Sequence, residues 1–515
     1  MKAHDEHGPY RNTGPSEQRL ISRHVHRFYN NLLVAGIYSI PVTVADSQLS
    51  KLETYLPVLK ACLLQHPFLS IVVRRNAKGQ SVYARADAVD LRDHFHVIDA
   101  ELSASNTATE DTLIGRVIEH LCNDPALTFF DTAEVLPHWR LDVLPLQESA
   151  HQKRVFISFT YGHTIGDGMS GMVFQKTFLE AFHQLGAQPP EDTNPISNTA
   201  HADLPGLPHL PLTLSYLLGP ALGHYLPRFV ADWLGIKASV SGSDEATWSG
   251  KKTFLSSASS EGVPVTTAAE VLSISDNTVT AVLETCRKHD AKLTSLLHEI
   301  VAQCFNRHLS SQLVLDASQN NFVASTPTNL RRLVDVPDET IGIFSSTAYS
   351  RHDIDRSLNP ESEVKITEHM WSKSRADTTQ LHRSVSLLRN QPIALLSWIS
   401  DIDAWMASQL NKPRDVSWEM SNLLSFGNRS ASGGTPAIVV EKMFFGQSAE
   451  AAGSPLFLSV VSVKGGDLVI CASWQPGAFG FNTTENSTIE IVERRFVRSV
   501  LDDLKRYMDV AASQE

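Results

Sequence analysis

Apolar side chains at Val155, Ile157, Phe159 and Tyr161 alternate with Phe156, Ser158 and Thr160, the period-two pattern of a strand with one face against a core. From residue 169 the period lengthens to that of a helix, through Met169, Met172, Val173, Phe178, Leu179 and Phe182. The intervening Gly162-His163-Thr164-Ile165-Gly166-Asp167-Gly168 is a turn relieved by glycines. The pattern therefore predicts strand, turn and helix, with a histidine at the strand's end. Upstream, Leu52, Leu56, Leu59 and Leu63 mark a helix over 49–65, followed by a strand over 68–74.

Downstream the pattern predicts a strand over 269–274 and helices over 277–289 and 294–309, the second carrying Leu296, Leu297, Ile300, Val301, Cys304 and Phe305. Segments 456–463 and 468–474 flank Lys464-Gly465-Gly466-Asp467 as a β-hairpin. A last helix opens on the capping box Ser487-x-x-Glu490. Its stripe of Ile489, Val492, Phe496, Val500, Leu504 and Met508 reads as core packing rather than a membrane anchor.

No internal repeat is visible. The expected organisation is an N-terminal half over 1–190, a Pro/Gly/Ser/Asp-rich crossover over 191–265, and a C-terminal half over 266–515. The apolar run over 210–234 is broken by Pro211, Pro220 and Pro227 and contains His224 and Arg228, so no transmembrane span is expected. A short helix at a membrane surface or a cover over a cleft fits it better, and peripheral membrane contact stays open.

A chain of 515 residues can bury two full cores. The net charge of −12 gives nucleic-acid binding no electrostatic support. Cys62, Cys122, Cys286, Cys304 and Cys471 are odd in number, and no pair has metal-ligand spacing. Together with a polar amino terminus unlike a signal peptide, they predict reduced, buried thiols in a cytoplasmic protein that binds no metal.

A histidine held at a strand end beside a cleft suits a general base, and His163 is read as that base with Asp167 bracing its loop. The spacing His-x-x-x-Asp occurs three times, so spacing alone does not select the site. His120 to Asp124 runs into Pro125 and reads as a helix terminus; His138 to Asp142 lies in a strand-like edge without a turn. Only the third has the strand–turn–helix context and the following Gly168. Residues 166–171 also spell G-x-G-x-x-G, but Asp167 would place a carboxylate where a dinucleotide loop presents bare amides, and no second strand with a ribose-binding acid follows. No Gly-x-Ser-x-Gly elbow is present, and His298-Glu299 lacks the second histidine of a zinc motif.

Several segments together carry a family resemblance: Arg11-x-x-Gly14-x-x-Glu17, His66-Pro-Phe-Leu69, Trp139-Arg-Leu141 and His163-Thr-Ile-Gly-Asp-Gly168. They continue with Pro327-Thr-Asn-Leu-Arg-Arg332, Ser421-Asn422, Ser462-Val-Lys-Gly-Gly466 and Ser473-Trp474. The chain resembles the fungal alcohol O-acetyltransferases, within the acyl-CoA-dependent superfamily that shares the chloramphenicol-acetyltransferase fold with plant BAHD enzymes and peptide-synthetase condensation domains. The resemblance covers nearly the whole chain. It implies an α/β fold of two chloramphenicol-acetyltransferase-like domains with mixed sheets and an active-site channel between them.

It further implies acetyl transfer from acetyl-CoA, as co-substrate, to a small hydroxylated acceptor, with no permanently bound cofactor, no acyl-enzyme and a monomeric enzyme. Carried over by position, His163 and Asp167 are catalytic. Gly168 and Arg331 support the motif, with Arg332 as the alternative partner of Asp167. Ser421 and Asn422 are substrate or oxyanion contacts, although Ser421-Asn-Leu-Leu departs from the Ser-Asn-x-Gly form expected there. The chain lacks Asp-Phe-Gly-Trp-Gly, the second signature of the plant branch. The alternative readings are a standalone condensation-type domain using a carrier-bound acyl donor, and a binding protein that has kept the fold without the chemistry.

Overall fold

Strand Gln152–Tyr161 is buried on both faces from Val155 onward, as befits a strand in the middle of a sheet rather than at an edge. Val155, Ile157, Phe159 and Tyr161 enter one core cluster and Phe156 another. The computed structural model describes residues 11–41, 46–99, 109–127, 135–146, 152–185, 194–197, 204–222, 230, 239–255, 265–309, 316–428, 438–482 and 488–514.

Among these residues two large sheets are built from β1 (Leu32–Pro41), β2 (Phe95–Val97), β3 (Trp139–Pro145), β4 (Gln152–Tyr161), β5 (Ala268–Ile274), β6 (Asn321–Asn329), β7 (Ser345–Asp353), β8 (Trp418–Phe426), β9 (Val439–Gln447), β10 (Phe457–Val463) and β11 (Leu468–Trp474). The first sheet has the order β9-β1-β4-β3-β2, antiparallel except where β2 meets β3. The second has the order β5-β11-β10-β8-β6-β7, with parallel pairs β10–β8 and β8–β6. Both are mixed sheets in an α/β fold, as the resemblance implies.

β9 belongs to the later half of the sequence yet pairs along its length with β1, from Val439 opposite Ser39 to Gln447 opposite Leu32. Leu423, Phe426, Met443, Phe445, Val461 and Val463 accordingly sit in the same core as the β4 face. The stretch between the halves packs as well: Trp248 is buried in the second core, and Ile196 pairs with Val89.

Most predicted elements appear where the periodicity put them. The hairpin β10–β11, strand β5 and helices Asp276–Lys288 and Leu293–Leu309 match within a residue or so. Pro67 opens a short 3₁₀ turn, Pro67–Ser70, so the strand expected from residue 68 begins only at Ile71. The last helix, Ile489–Ala512, buries Phe496, Val500, Leu504 and Met508 in the second core. The Thr488 side chain caps it by accepting from Ile491 N at 3.4 Å; Ser487 lies outside the described residues. The apolar run over 210–234 contains the helix Leu214–Leu222, while 223–229 and 231–238 lie outside the described residues. No described helix is long and apolar enough to cross a membrane. All five cysteines are buried and unbridged.

Candidate active site

The loop after β4 is tied down on every side. Tyr161 Oη donates to the Asp167 carbonyl at 2.7 Å and Tyr83 Oη to the Thr164 carbonyl at 2.5 Å. Gly162 N donates to the His138 carbonyl at 2.8 Å, and the Thr164 hydroxyl meets His138 Nδ1 at 2.6 Å. Helix α2 (Gly168–Leu185) then starts directly under β8 and β9. A Cβ on Gly168 would lie 2.8 Å from Leu423 Cδ2 and 3.3 Å from Phe445 Cζ, so close approach, not an unusual φ, demands glycine there.

Asp167 is the second anchor. Its carboxylate forms a two-pronged pair with Arg331, Nη1 to Oδ2 and Nη2 to Oδ1, both at 2.9 Å. Phe344 N, Ser170 N and Ser170 Oγ donate to the same carboxylate at 3.0, 3.1 and 3.0 Å. Arg331 also donates to the carbonyls of Thr340 and Gly342, to Asn329 Oδ1 and to Ser170 Oγ. Burial opposes the charge on Asp167, but Arg331 and these donors outweigh it and hold the carboxyl below the usual carboxylate range. Each oxygen of this carboxylate thus accepts from Arg331 and from at least one further donor. Arg332, one residue on, points to solvent and pairs with Asp338.

His163 faces a cavity of about 110 Å³ between the two sheets. Its wall comes from helix α1 (Pro15–Val25), the loop after β4, and strands β6 to β10. Within the wall Arg23 pairs with Glu450 at 2.7 Å and lies over the Tyr29 ring, 4.6 Å from its centroid. Tyr29 in turn packs on His163, with ring centroids 5.8 Å apart. His163 keeps some surface toward the cavity, but dense protein otherwise excludes bulk water from it. That burial lowers its basicity first, and the positive charges of Arg23 and Arg19 lower it further, against the pull of Asp167 and its own backbone carbonyl. The imidazole is therefore neutral near pH 7, which is the state a base requires.

Of the residues expected at the site, His163, Asp167, Gly168 and Ser421 line this cavity, and Arg331 stands directly behind Asp167. Asn422 does not line it: its side chain turns to the helix Leu293–Leu309, donating to Thr294 Oγ1 at 3.0 Å, and accepts from Leu424 N at 2.8 Å. Alternation along β8 puts these neighbours on opposite faces. The sequence reading misses Arg19, Arg23, Glu419, Glu450 and Ser346, all of which line the cavity. The i, i+4 spacing of Arg19 and Arg23 on one helix was the available signal. Ser346 Oγ is buried and without a hydrogen-bond partner among the described residues.

The sequence model of a family described as alcohol acetyltransferase matches residues 101–496. A probable alcohol acetyltransferase of Aspergillus fumigatus, crmB, is 24% identical over 494 residues, which cover 90% of this chain and 94% of that protein. Another, FCK4 of Fusarium pseudograminearum, is 23% identical over 510 residues, 97% of this chain and 94% of that protein. Among solved structures, the trichothecene 15-O-acetyltransferase TRI3 of Fusarium sporotrichioides superposes with a TM-score of 0.63 over 96% of this chain and 94% of its own, at 12% identity, a likeness of fold.

Proposed function

The chain belongs to the alcohol acetyltransferase family, and on that premise we propose that it moves an acetyl group from acetyl-CoA to the hydroxyl of a small acceptor, with His163 as general base. The observation that carries this reading is a neutral imidazole facing the cavity from a loop locked by the Asp167–Arg331 pair. In the reaction the acceptor O–H gives its proton to His163 as its oxygen attacks the thioester carbonyl. The C=O pair becomes a tetrahedral oxyanion, for which Ser421 and Ser346 on the cavity wall offer O–H donors. Collapse re-forms the carbonyl and breaks the C–S bond, and the departing thiolate takes the proton from His163. The products are the acetyl ester and free CoA. A thioester is already activated, so one base and correct placement suffice, and no acyl-enzyme is needed. Asp167 takes no proton in this scheme; it fixes the loop through Arg331.

Mass-spectrometric screening of the purified protein with acetyl-CoA against a panel of hydroxylated compounds tests this reading. The expected result is an acetylated product that forms with free acetyl-CoA and no other protein. A requirement for an acyl group loaded on a carrier protein would overturn it in favour of condensation-type chemistry.

A further inference from the structure

Arg19 lacks the acid partner that four of the buried arginines have. Arg23 meets Glu450 at 2.7 Å, Arg307 meets Asp503 at 2.7 Å, Arg331 meets Asp167 at 2.9 Å, and Arg140 meets Asp142 at 2.6 Å. Arg19 is half-buried on the cavity wall with His163, and among the described residues no acceptor lies within hydrogen-bonding or ion-pairing distance of its guanidinium. The charges facing it from neighbouring elements do not replace a partner. Glu450 is committed to Arg23, which repels Arg19. Glu419 is pushed up to about 7 by burial and by Glu450, so its negative charge is incomplete at neutral pH, and burial raises Asp415 as well. Tyr349 is held in its neutral form by burial.

A guanidinium stays charged in a protein, and one that packed groups surround without a partner gives up part of its hydration at a cost. A ligand oxyanion would relieve that cost and match the planar fork of donors. We propose that Arg19 is the recognition site for a carboxylate on the acceptor, so that the substrate class is hydroxylated acids. This rests on the acyl-transfer reading above. The same chemistry could come from the phosphates of CoA, but these lie at the far end of the pantetheine arm from the thioester. Arg19 instead shares a small cavity with the base that meets the acceptor hydroxyl.

The test is equilibrium binding, by titration calorimetry, of hydroxy acids and their methyl esters, running from lactate through mandelate to p-hydroxybenzoate. Wild-type protein should bind the acids roughly ten- to a hundredfold more tightly than the matched esters, the range expected of a charge-assisted hydrogen bond. Arg19→Gln should erase that difference, and Arg19→Lys, which keeps the charge and guards against a folding defect in the first variant, should retain part of it. His163→Ala should keep the preference while losing transfer, so a failure of the base and a failure of Arg19 are read separately. Equal binding of acids and esters by wild-type protein, or an undiminished preference in Arg19→Gln, would overturn the proposal. So would an Arg19→Gln defect confined to the affinity for acetyl-CoA, which would put the anion on the donor.

Discussion

His163 owes its charge state to its neighbours. Burial, Arg23 and Arg19 all disfavour the imidazolium, so the lowered pKa keeps the ring unprotonated at pH values below the usual histidine range. Competence as a base is lost only as pH falls through that lowered value. Arg23→Gln removes one positive charge and frees the negative charge of Glu450, and both changes favour the imidazolium. The acidic limb of the kcat/KM profile should therefore move to higher pH, and a limb that stays in place or moves down would contradict this electrostatic account. Asp167→Asn leaves Arg331 buried without its charge partner, a loss on the order of 3–5 kcal/mol. Urea unfolding should record that loss together with reduced turnover; an unchanged unfolding midpoint would mean that the pair does not hold the loop. The motif from His163 to Gly168 was legible because its chemistry is contiguous. Its partner could be narrowed only to Arg331 or Arg332, which lie more than 160 positions away, where nothing local says which of two adjacent arginines turns inward. Arg19 and Arg23 were passed over despite their i, i+4 spacing, because charges on a helix ordinarily mark a solvated face, and the strands that share the cavity wall with them come from far along the chain.

At the scale of elements, the contact that sets α2 against β8 and β9 is the glycine at its first turn. Gly168→Ala should force Leu423 aside, at the roughly 1–3 kcal/mol typical of overpacking, and displace the loop that carries His163. Leu423→Ala added to Gly168→Ala should restore much of the lost turnover. A double variant no better than the single would show that the glycine serves some other purpose. The strand and helix on either side of the motif were readable from their periods, and so was the last helix from its stripe. The turn Pro67–Ser70 was misread as strand because its apolar Phe68 and Leu69 continue the pattern while Pro67 fixes a different backbone. Asn422 was placed with Ser421 by adjacency in sequence, whereas adjacency along a strand puts two side chains on opposite faces.

For the whole molecule, β9 is the decisive strand, since it supplies an edge to the first sheet from beyond most of the second. Hydrophobic periodicity can propose a strand but not its partner, and this pairing joins positions some four hundred residues apart, so the sequence reading left it unassigned. The shared sheet and shared core predict that the two halves unfold together, in one calorimetric transition. Two resolved transitions would mean that β9 couples them weakly. The same arrangement closes the cavity between the sheets, in which the proposed function makes His163 the base for the acceptor hydroxyl. The most direct test of that claim is release of free thiol from acetyl-CoA, followed with and without a hydroxyl acceptor, by wild-type protein and by His163→Ala. The account predicts acceptor-dependent release that falls by roughly 10²–10⁴-fold in the folded variant. Near-normal release by His163→Ala, or release without acceptor accompanied by acetylated protein, would contradict it.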